Sequence, residues 1–477
     1  MSKLSIIWLR RNLRLQDNKS FAAALRNSEK ILPIFIFDTT ILKRFINSGD
    51  RRLSFLASTL YQLHNKLQEL KGELLVFYGD PLLIIPKLAE ALDVKAIYAD
   101  EDYEPDNIKR DEEIKKQLGE NRKLELFCDH LLIKPDRILT KDNQPYKVYT
   151  PYMQSFRKYL ADHNAFPGNT HNKLLTAYNY NLDDKLASFA DIDLPRLNLT
   201  QGPKGILNQI GYNYKKDDLW RAENAENVLN KFIRTKINNY KTNRDFLHLD
   251  GTSTISPYLR FGLISIRQCY RKAFELTSNL GVITWINELI WREFYANILY
   301  HFPYSVKDEF LEKYRRKIPW NKDAEIFYKF TEGKTGYPII DAAVRQLLQD
   351  GWMHNRARMI VASFLTKNLL IDWRMGEEFF AQYLMDYELA SNVGGWQWAA
   401  SCGTDAQPYF RIFNPYTQGK NFNPNAEYVK KYLPELEDVP ANIIHNINFT
   451  KIYPDYTKPI VDYKLSRVRA LAVFKKI

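Results

Sequence analysis

Residues 3–135 alternate between two hydrophobic periods. Short apolar runs rich in Ile, Val and Phe occupy 5–9, 31–37, 74–78, 96–99 and 124–127. Runs of this length, bounded by turn residues, predict buried strands. Between them the period becomes helical. In 52–70, Leu53, Leu56, Leu60, Leu63, Leu67 and Leu70 share one face, and 81–92 and 107–118 follow the same pattern. Strand–helix alternation predicts an α/β domain with a doubly wound parallel sheet over 1–135. Ligands of such sheets sit beyond the carboxyl ends of the strands. Here those ends carry Arg10, Arg11, Asp38, Gly79, Asp80 and 100–102. No GxGxxG follows the first strand, which argues against a dinucleotide in the usual pose.

Residues 136–215 are turn-rich, with NQP, FPGNTHN and TQGPKG, and are expected to be an inter-domain linker with some short helices. From Asp217 onward the pattern is helical. Helices are expected over 221–239, 265–277, 282–300, 340–350, 354–370 and 376–386, which makes 216–477 an all-α domain.

Composition narrows the partners. Hydrophobic residues are 45% of the chain, enough for true cores. The net charge of +12 suits a polyanion, because phosphate contacts supply most non-specific nucleic-acid affinity. Cys128, Cys269 and Cys402 are too few and too scattered for a disulfide framework or a metal site. No apolar run reaches a membrane span, and the first residues lack a secretory pattern. A cytoplasmic protein, on no membrane, is expected.

Four strings carry residues that a plain helical core would not need. In WINELIWREFYANI (285–298), Trp285, Glu288 and Arg292 share one helix face. Glu288 and Arg292 stand at i,i+4 in the favourable orientation for a pair, with Trp291 three residues beyond Glu288. In 335–365, Trp352, His354, Asn355, Arg356, Arg358 and Met359 gather at a helix start where Asn355 is placed to cap. Arginines there oppose the helix dipole and call for an anionic partner. In 383–415, Asp386, Glu388, Asn392, Gly394, Gly395, Trp396 and Trp398 crowd together, and the paired glycines allow a flat ligand to approach. The GTSTIS string at 251–256 sets hydroxyls and N–H groups before a helix, an arrangement that can cradle a pyrophosphate. Each string also has a structural reading: surface ion pairs, a tight turn, or indoles packed in a core.

Taken together, WLRRNLRLQDN, GTSTISPYLRFG, WINELIWREFY, EGKTGYPIIDAAVRQL, GWMHNRARMIVASFL, DWRMGEEFF, GGWQWAAS and FRIFNP occur in order along the chain. By these strings it resembles the photolyase/cryptochrome family over essentially its whole length. The resemblance implies FAD in the helical domain, active in its reduced form. Tyr240 and the segment Thr252, Ser253, Thr254, Ile255 and Ser256 would hold the phosphates and ribose, with Trp285 nearby. Arg358 would pair with Asp386 beside the isoalloxazine. Asn392 would face the flavin N5, and Glu288, Arg292, Asn355 and Glu388 would complete the cofactor's surroundings.

The implied substrate is damaged DNA whose flipped-out pyrimidine dimer accepts an electron. Glu288 would bond the pyrimidine edge, Trp291 and Trp398 would give the bases apolar faces, and Asn355 and Met359 would finish the wall. Arg244, Arg292, Arg356 and Arg411 are candidates for phosphate contact. Trp396, Trp373 and Trp320 match the family's electron-carrying tryptophan series. Trp291 and Met359 look like the class that repairs cyclobutane dimers, with a cryptochrome-type photoreceptor as the alternative. A second, antenna chromophore is implied. Arg11, Asp38, Arg52 and Asp102 look more like the deazaflavin-binding type, while a flavin, methenyltetrahydrofolate or none stays open. Relatives commonly carry Asp-Gly-Asp where this chain reads Asp386-Tyr387-Glu388. No metal and no obligate protein partner are implied, and a monomer is expected.

Overall fold

The computed structural model describes residues 2–163, 174–187, 194–276 and 279–477. They form two compact units, each drawn from three stretches of chain. The first comprises 1–138, 155–234 and 253–278, and the second 139–154, 235–252 and 279–477.

In the first unit, β1 (Ser2–Leu9), β2 (Ser28–Asp38), β3 (Leu75–Gly79), β4 (Ala96–Asp100) and β5 (Lys123–Phe127) form a parallel sheet in the order β3-β2-β1-β4-β5. They alternate with α1 (Lys19–Asn27), α2 (Arg51–Glu69), α3 (Pro81–Ala91) and α4 (Pro105–Leu118). Ile7, Leu9, Phe35 and Phe37 pack with Phe21 of α1 and Leu53, Leu60, Leu63 and Leu67 of α2. Ile6, Trp8, Ile34 and Ile36 pack on the other face with Ile85 and Leu88 of α3 and Ile114 of α4. Two buried faces explain why the strands read as unbroken apolar runs. Leu56 and Leu70, expected on the buried face of α2, are only partly covered. Asn18, Asp50 and Asp80 cap α1, α2 and α3 through their side chains, each worth about 1 kcal/mol.

The stretch 136–215 does more than link. Leu182, Leu186 and Leu199 enter the first unit's core, as do Ile206 and Leu207 from α5 (Gly202–Gln209). Its backbone also bonds the sheet. Ile31 donates its N–H to the Lys185 carbonyl at 2.8 Å, and Leu197 donates to the Val76 carbonyl at 2.7 Å. Strand β3 lies at the edge, where open backbone groups take a partner from any segment alongside. Isolated leucines among turn residues carry no period, so the sequence pattern hid this role. Part of the expected helical domain likewise belongs to the first unit. In α6 (Ile266–Phe274), buried Arg267 pairs with Asp17 at 2.9 Å and Asp129 at 2.7 Å.

The second unit is helical. Its main elements are α7 (Leu280–His301), α8 (Pro338–Asp350), α9 (Asn355–Ser363), α10 (Trp373–Tyr383), α11 (Leu389–Ala399) and α12 (Tyr463–Lys476). Ile340, Val344, Ile360, Phe380, Trp396 and Phe474 share one core. Gly351 closes α8 in the left-handed conformation, φ 65°. The single helix expected over 354–370 is instead α9 followed by a π turn, Phe364–Asn368. Among the described residues, no helix is long and apolar enough to cross a membrane.

Candidate functional site

The segment 251–256 carries an unfilled set of donors. The N–H groups of Thr252, Ser253, Thr254 and Ile255 donate to no protein acceptor among the described residues. Thr254 holds a left-handed φ of 51°, a geometry that lets successive N–H groups converge on an anion. Its hydroxyl turns back onto the Ser253 carbonyl at 2.8 Å. Gly251 is required sterically, because a Cβ there would lie 2.7 Å from the Asn243 carbonyl oxygen. This donor set fits the pyrophosphate of a dinucleotide.

Around α7 the charges pair, but not as helix spacing predicts. Glu288 and Arg292 do not pair with each other. Glu288 Oε1 accepts a close hydrogen bond from Arg244, and Arg292 Nη2 donates to Glu388 Oε1 at 3.0 Å. An exposed i,i+4 pair is worth only a few tenths of a kcal/mol, so partners across the fold outcompete it. Burial raises the Glu288 carboxyl above the ordinary range, and Arg244 opposes that rise. Arg356 is held by Asp245 at 2.9 Å and lies over the Phe422 ring at 4.3 Å. Arg358 donates to both carboxylate oxygens of Asp386, at 3.1 and 2.9 Å, and to the Met353 carbonyl at 2.8 Å. The expected Arg358–Asp386 pair is therefore present.

The cap of α9 is His354, not Asn355. His354 Nδ1 accepts from the Arg356 N–H at 3.1 Å, which leaves exposed Asn355 as the first helical residue. Burial pulls the His354 imidazole down to about 4, so it stays neutral and able to accept. Asn355 reaches toward the Met359 sulfur, at 3.9 Å.

Trp291 is half-buried and stacks on Tyr149, with centroids 3.7 Å apart and planes 5° off parallel. Phe294 and Tyr295 flank it at 5.6 and 5.5 Å. Tyr149 is fixed in turn, its hydroxyl donating to the Asn287 carbonyl at 2.9 Å and its N–H to Asp405 at 3.2 Å. One face of the indole is thus covered, and a ligand must use the other face or the edge. Trp285 and Tyr240 are buried, Trp398 is half-buried and Arg411 is exposed. Burial, then the nearby Glu288 charge, pushes the Tyr240 hydroxyl well above its usual range.

Asn392 is buried on α11, and its Nδ2 donates to the carbonyl and to Oε1 of Glu377, both at 3.0 Å. Gly394 does not open a slot for a flat ligand. A Cβ there would collide with the Tyr295 ring, so the glycine lets α7 and α11 approach, while Gly395 faces open space. Trp396 and Trp373 are buried and Trp320 is partly so. Trp373 Nε1 donates to Glu309 at 3.4 Å, and the buried Trp396 Nε1 has no partner among the described residues.

In the first unit, Arg11 pairs with Asp102 at 3.4 Å and with Glu104. Asp38 caps Thr40 at 2.8 Å and meets Arg110 at 3.4 Å, and Arg52 pairs with Asp50 at 2.6 Å. Burial is the largest single influence and would raise Asp102, but Arg11, the Glu104 N–H and Arg110 together outweigh it and hold the carboxyl at about 2. Arg11 and Asp102 leave the ends of neighbouring strands β1 and β4, at the point where the strand order reverses, the expected ligand crevice of such a sheet. Sequence reasoning missed Tyr149, Asp245, Glu309 and Glu377. Each acts on a residue far along the chain, and no local motif marks any of them.

Residues 285–476 match the model of the FAD binding domain of DNA photolyase, and 5–169 match the DNA photolyase model. The deoxyribodipyrimidine photo-lyase of a Synechococcus strain is 37% identical, over 99% of this chain and 96% of its own. A bacterial class III photolyase of Agrobacterium tumefaciens superposes with a TM-score of 0.86 at 31% identity, covering 100% of this chain and 98% of its own. An archaeal photolyase of Sulfolobus tokodaii, solved with two FAD molecules, gives 0.81 at 30% identity, covering 99% and 100%. With its parallel-sheet unit, its helical unit and an FAD-binding domain that these matches span, the chain belongs to the DNA photolyase family.

Proposed function

We propose that this chain is a light-driven DNA-repair lyase that restores pyrimidines from cyclobutane dimers. The observation that carries the reading lies on α7. Glu288, raised by burial and bound by Arg244, stands three residues from the Tyr149-backed indole of Trp291. A flipped pyrimidine pair needs this combination of a hydrogen-bonding edge partner and an apolar face. FAD, when bound in its reduced form, would supply the light-driven one-electron chemistry.

The chain's own residues bind and orient. Tyr240 and 252–256 take the phosphates and ribose, with Trp285 nearby, while Arg358–Asp386, Arg292–Glu388 and Asn392 line the flavin side. Glu288 bonds the pyrimidine edge and offers a proton. Trp291, Trp398, Met359 and Asn355 wall the lesion and exclude water. Arg244, Arg356 and Arg411 contact DNA phosphates, for which Arg356 exchanges its Asp245 partner. Trp320, Trp373 and Trp396 carry electrons inward to oxidised flavin. A second chromophore, deazaflavin, flavin or methenyltetrahydrofolate, sits by Arg11, Asp38, Arg52 and Asp102. The protein works as a cytoplasmic monomer on DNA.

The test is repair of a thymine-dimer oligonucleotide by chemically reduced protein, in the dark and under blue light. Light-dependent return of thymines is expected. No repair by protein that still holds reduced FAD would sink this reading and favour the cryptochrome-type photoreceptor. In the same assay Trp373→Phe should repair normally when reduced beforehand, yet lose most photoreduction of oxidised FAD. Undiminished photoreduction would route the electrons elsewhere.

A further inference from the structure

Tyr387 stands in the turn between α10 and α11. Its ring packs against the second unit's core, and its hydroxyl donates to Glu377 Oε1 at 3.0 Å. The same oxygen accepts from Asn392 Nδ2 at 3.0 Å, and that amide nitrogen also bonds the Glu377 main-chain carbonyl at 3.0 Å. We propose that Tyr387 is a positioning residue for the flavin, locking the Asn392 side-chain amide in one orientation through Glu377.

The argument is one of donor and acceptor count. An asparagine amide presents two N–H donors at one end and an acceptor oxygen at the other. With Nδ2 committed to two acceptors on Glu377, Oδ1 is the end left to face a ligand. An acceptor favours a flavin whose facing nitrogen carries a hydrogen, the reduced form, and repels the lone pair of the oxidised ring. If the amide turns over, the preference reverses. A glutamate carboxylate can rotate about its last torsion and release the amide unless donors hold its oxygens. A second donor on the same oxygen restrains it, and Tyr387 supplies that donor. The ring's packing keeps the hydroxyl in place without spending further side-chain freedom.

This inference rests on the proposed place of the flavin beside Asn392. The full-length holoprotein is purified with FAD as wild type, Tyr387→Phe, Glu377→Gln and Asn392→Ala. Two properties are measured: the reoxidation rate of reduced flavin in air, and the flavin midpoint potential. Tyr387→Phe keeps the packed ring and loses only the hydroxyl. It should reoxidise roughly fivefold faster, about the worth of one net hydrogen bond, and its potential should fall. Glu377→Gln should shift both in the same direction, and a variant combining Tyr387→Phe with Glu377→Gln should add little to either single change, because both act through one amide. Wild-type behaviour of Tyr387→Phe alongside a shifted Asn392→Ala would overturn the role of Tyr387 while leaving the flavin beside Asn392. Wild-type behaviour of all the variants would remove the flavin from Asn392 and the inference with it.

Discussion

Burial raises the Glu288 carboxyl above its ordinary range, and the close hydrogen bond from Arg244 opposes that rise. Glu288→Ala should keep FAD bound and lower the repair yield per absorbed photon roughly tenfold, the scale of one charge-assisted hydrogen bond. Unchanged yield would strip Glu288 of its role. Trp291 depends on its neighbour in the same way. Tyr149→Leu removes the 3.7 Å stack and frees the indole to rotate. Such aromatic pairs are worth about 1 kcal/mol. Preference for dimer-containing over undamaged oligonucleotide should therefore fall roughly fivefold by equilibrium binding, while Tyr149→Phe, which keeps the ring, should recover most of it. Glu288 and Trp291 were both legible in the sequence as a helix face. Tyr149 was not, because a stack between residues so far apart in the chain has no local pattern to announce it.

Among the elements, the π turn after α9 buries a cation. Lys367 donates to Ser401 Oγ at 2.8 Å and lies 3.5 Å from the Phe474 ring centroid. Burial pulls its amine down to about 7. In the unfolded chain a lysine titrates near about 10.4. Between these values the unfolded chain binds a proton that the folded chain does not, so the lysine opposes folding increasingly as pH falls from about 10.4 to 7. The penalty is then constant at lower pH. Lys367→Met should stabilise the protein by about 2 kcal/mol at pH 7, with the gain shrinking toward zero above pH ~10. Thermal melts at the two pH values check this, and an equal gain at both would show that packing, not charge, is at work. The sequence pattern drew one helix through this turn, because periodicity marks which residues are apolar and not where an extra residue is accommodated.

The whole molecule carries a charge of +12, which should govern how it finds DNA. Affinity for undamaged duplex should fall steeply with salt. Arg411→Ala should lower the slope of log affinity against log salt by about one while leaving the preference for a dimer intact. An unchanged slope would remove Arg411 from the phosphate contacts. At this scale the sequence determined a good deal by itself. The succession of strands and helices and the two-faced sheet follow from periods and propensities within a few residues. The tertiary structure decided the partnerships. It gave Glu288 to Arg244 and Arg292 to Glu388, drew Leu182 and Leu186 from a turn-rich stretch into the sheet's core, and brought Tyr387 and Asn392 to one oxygen of Glu377. The reason is energetic. Local spacing offers a side chain pairings worth a few tenths of a kcal/mol, whereas burial makes an unpaired charge or polar group far costlier than that. The choice therefore falls to whichever distant segment the fold brings within reach.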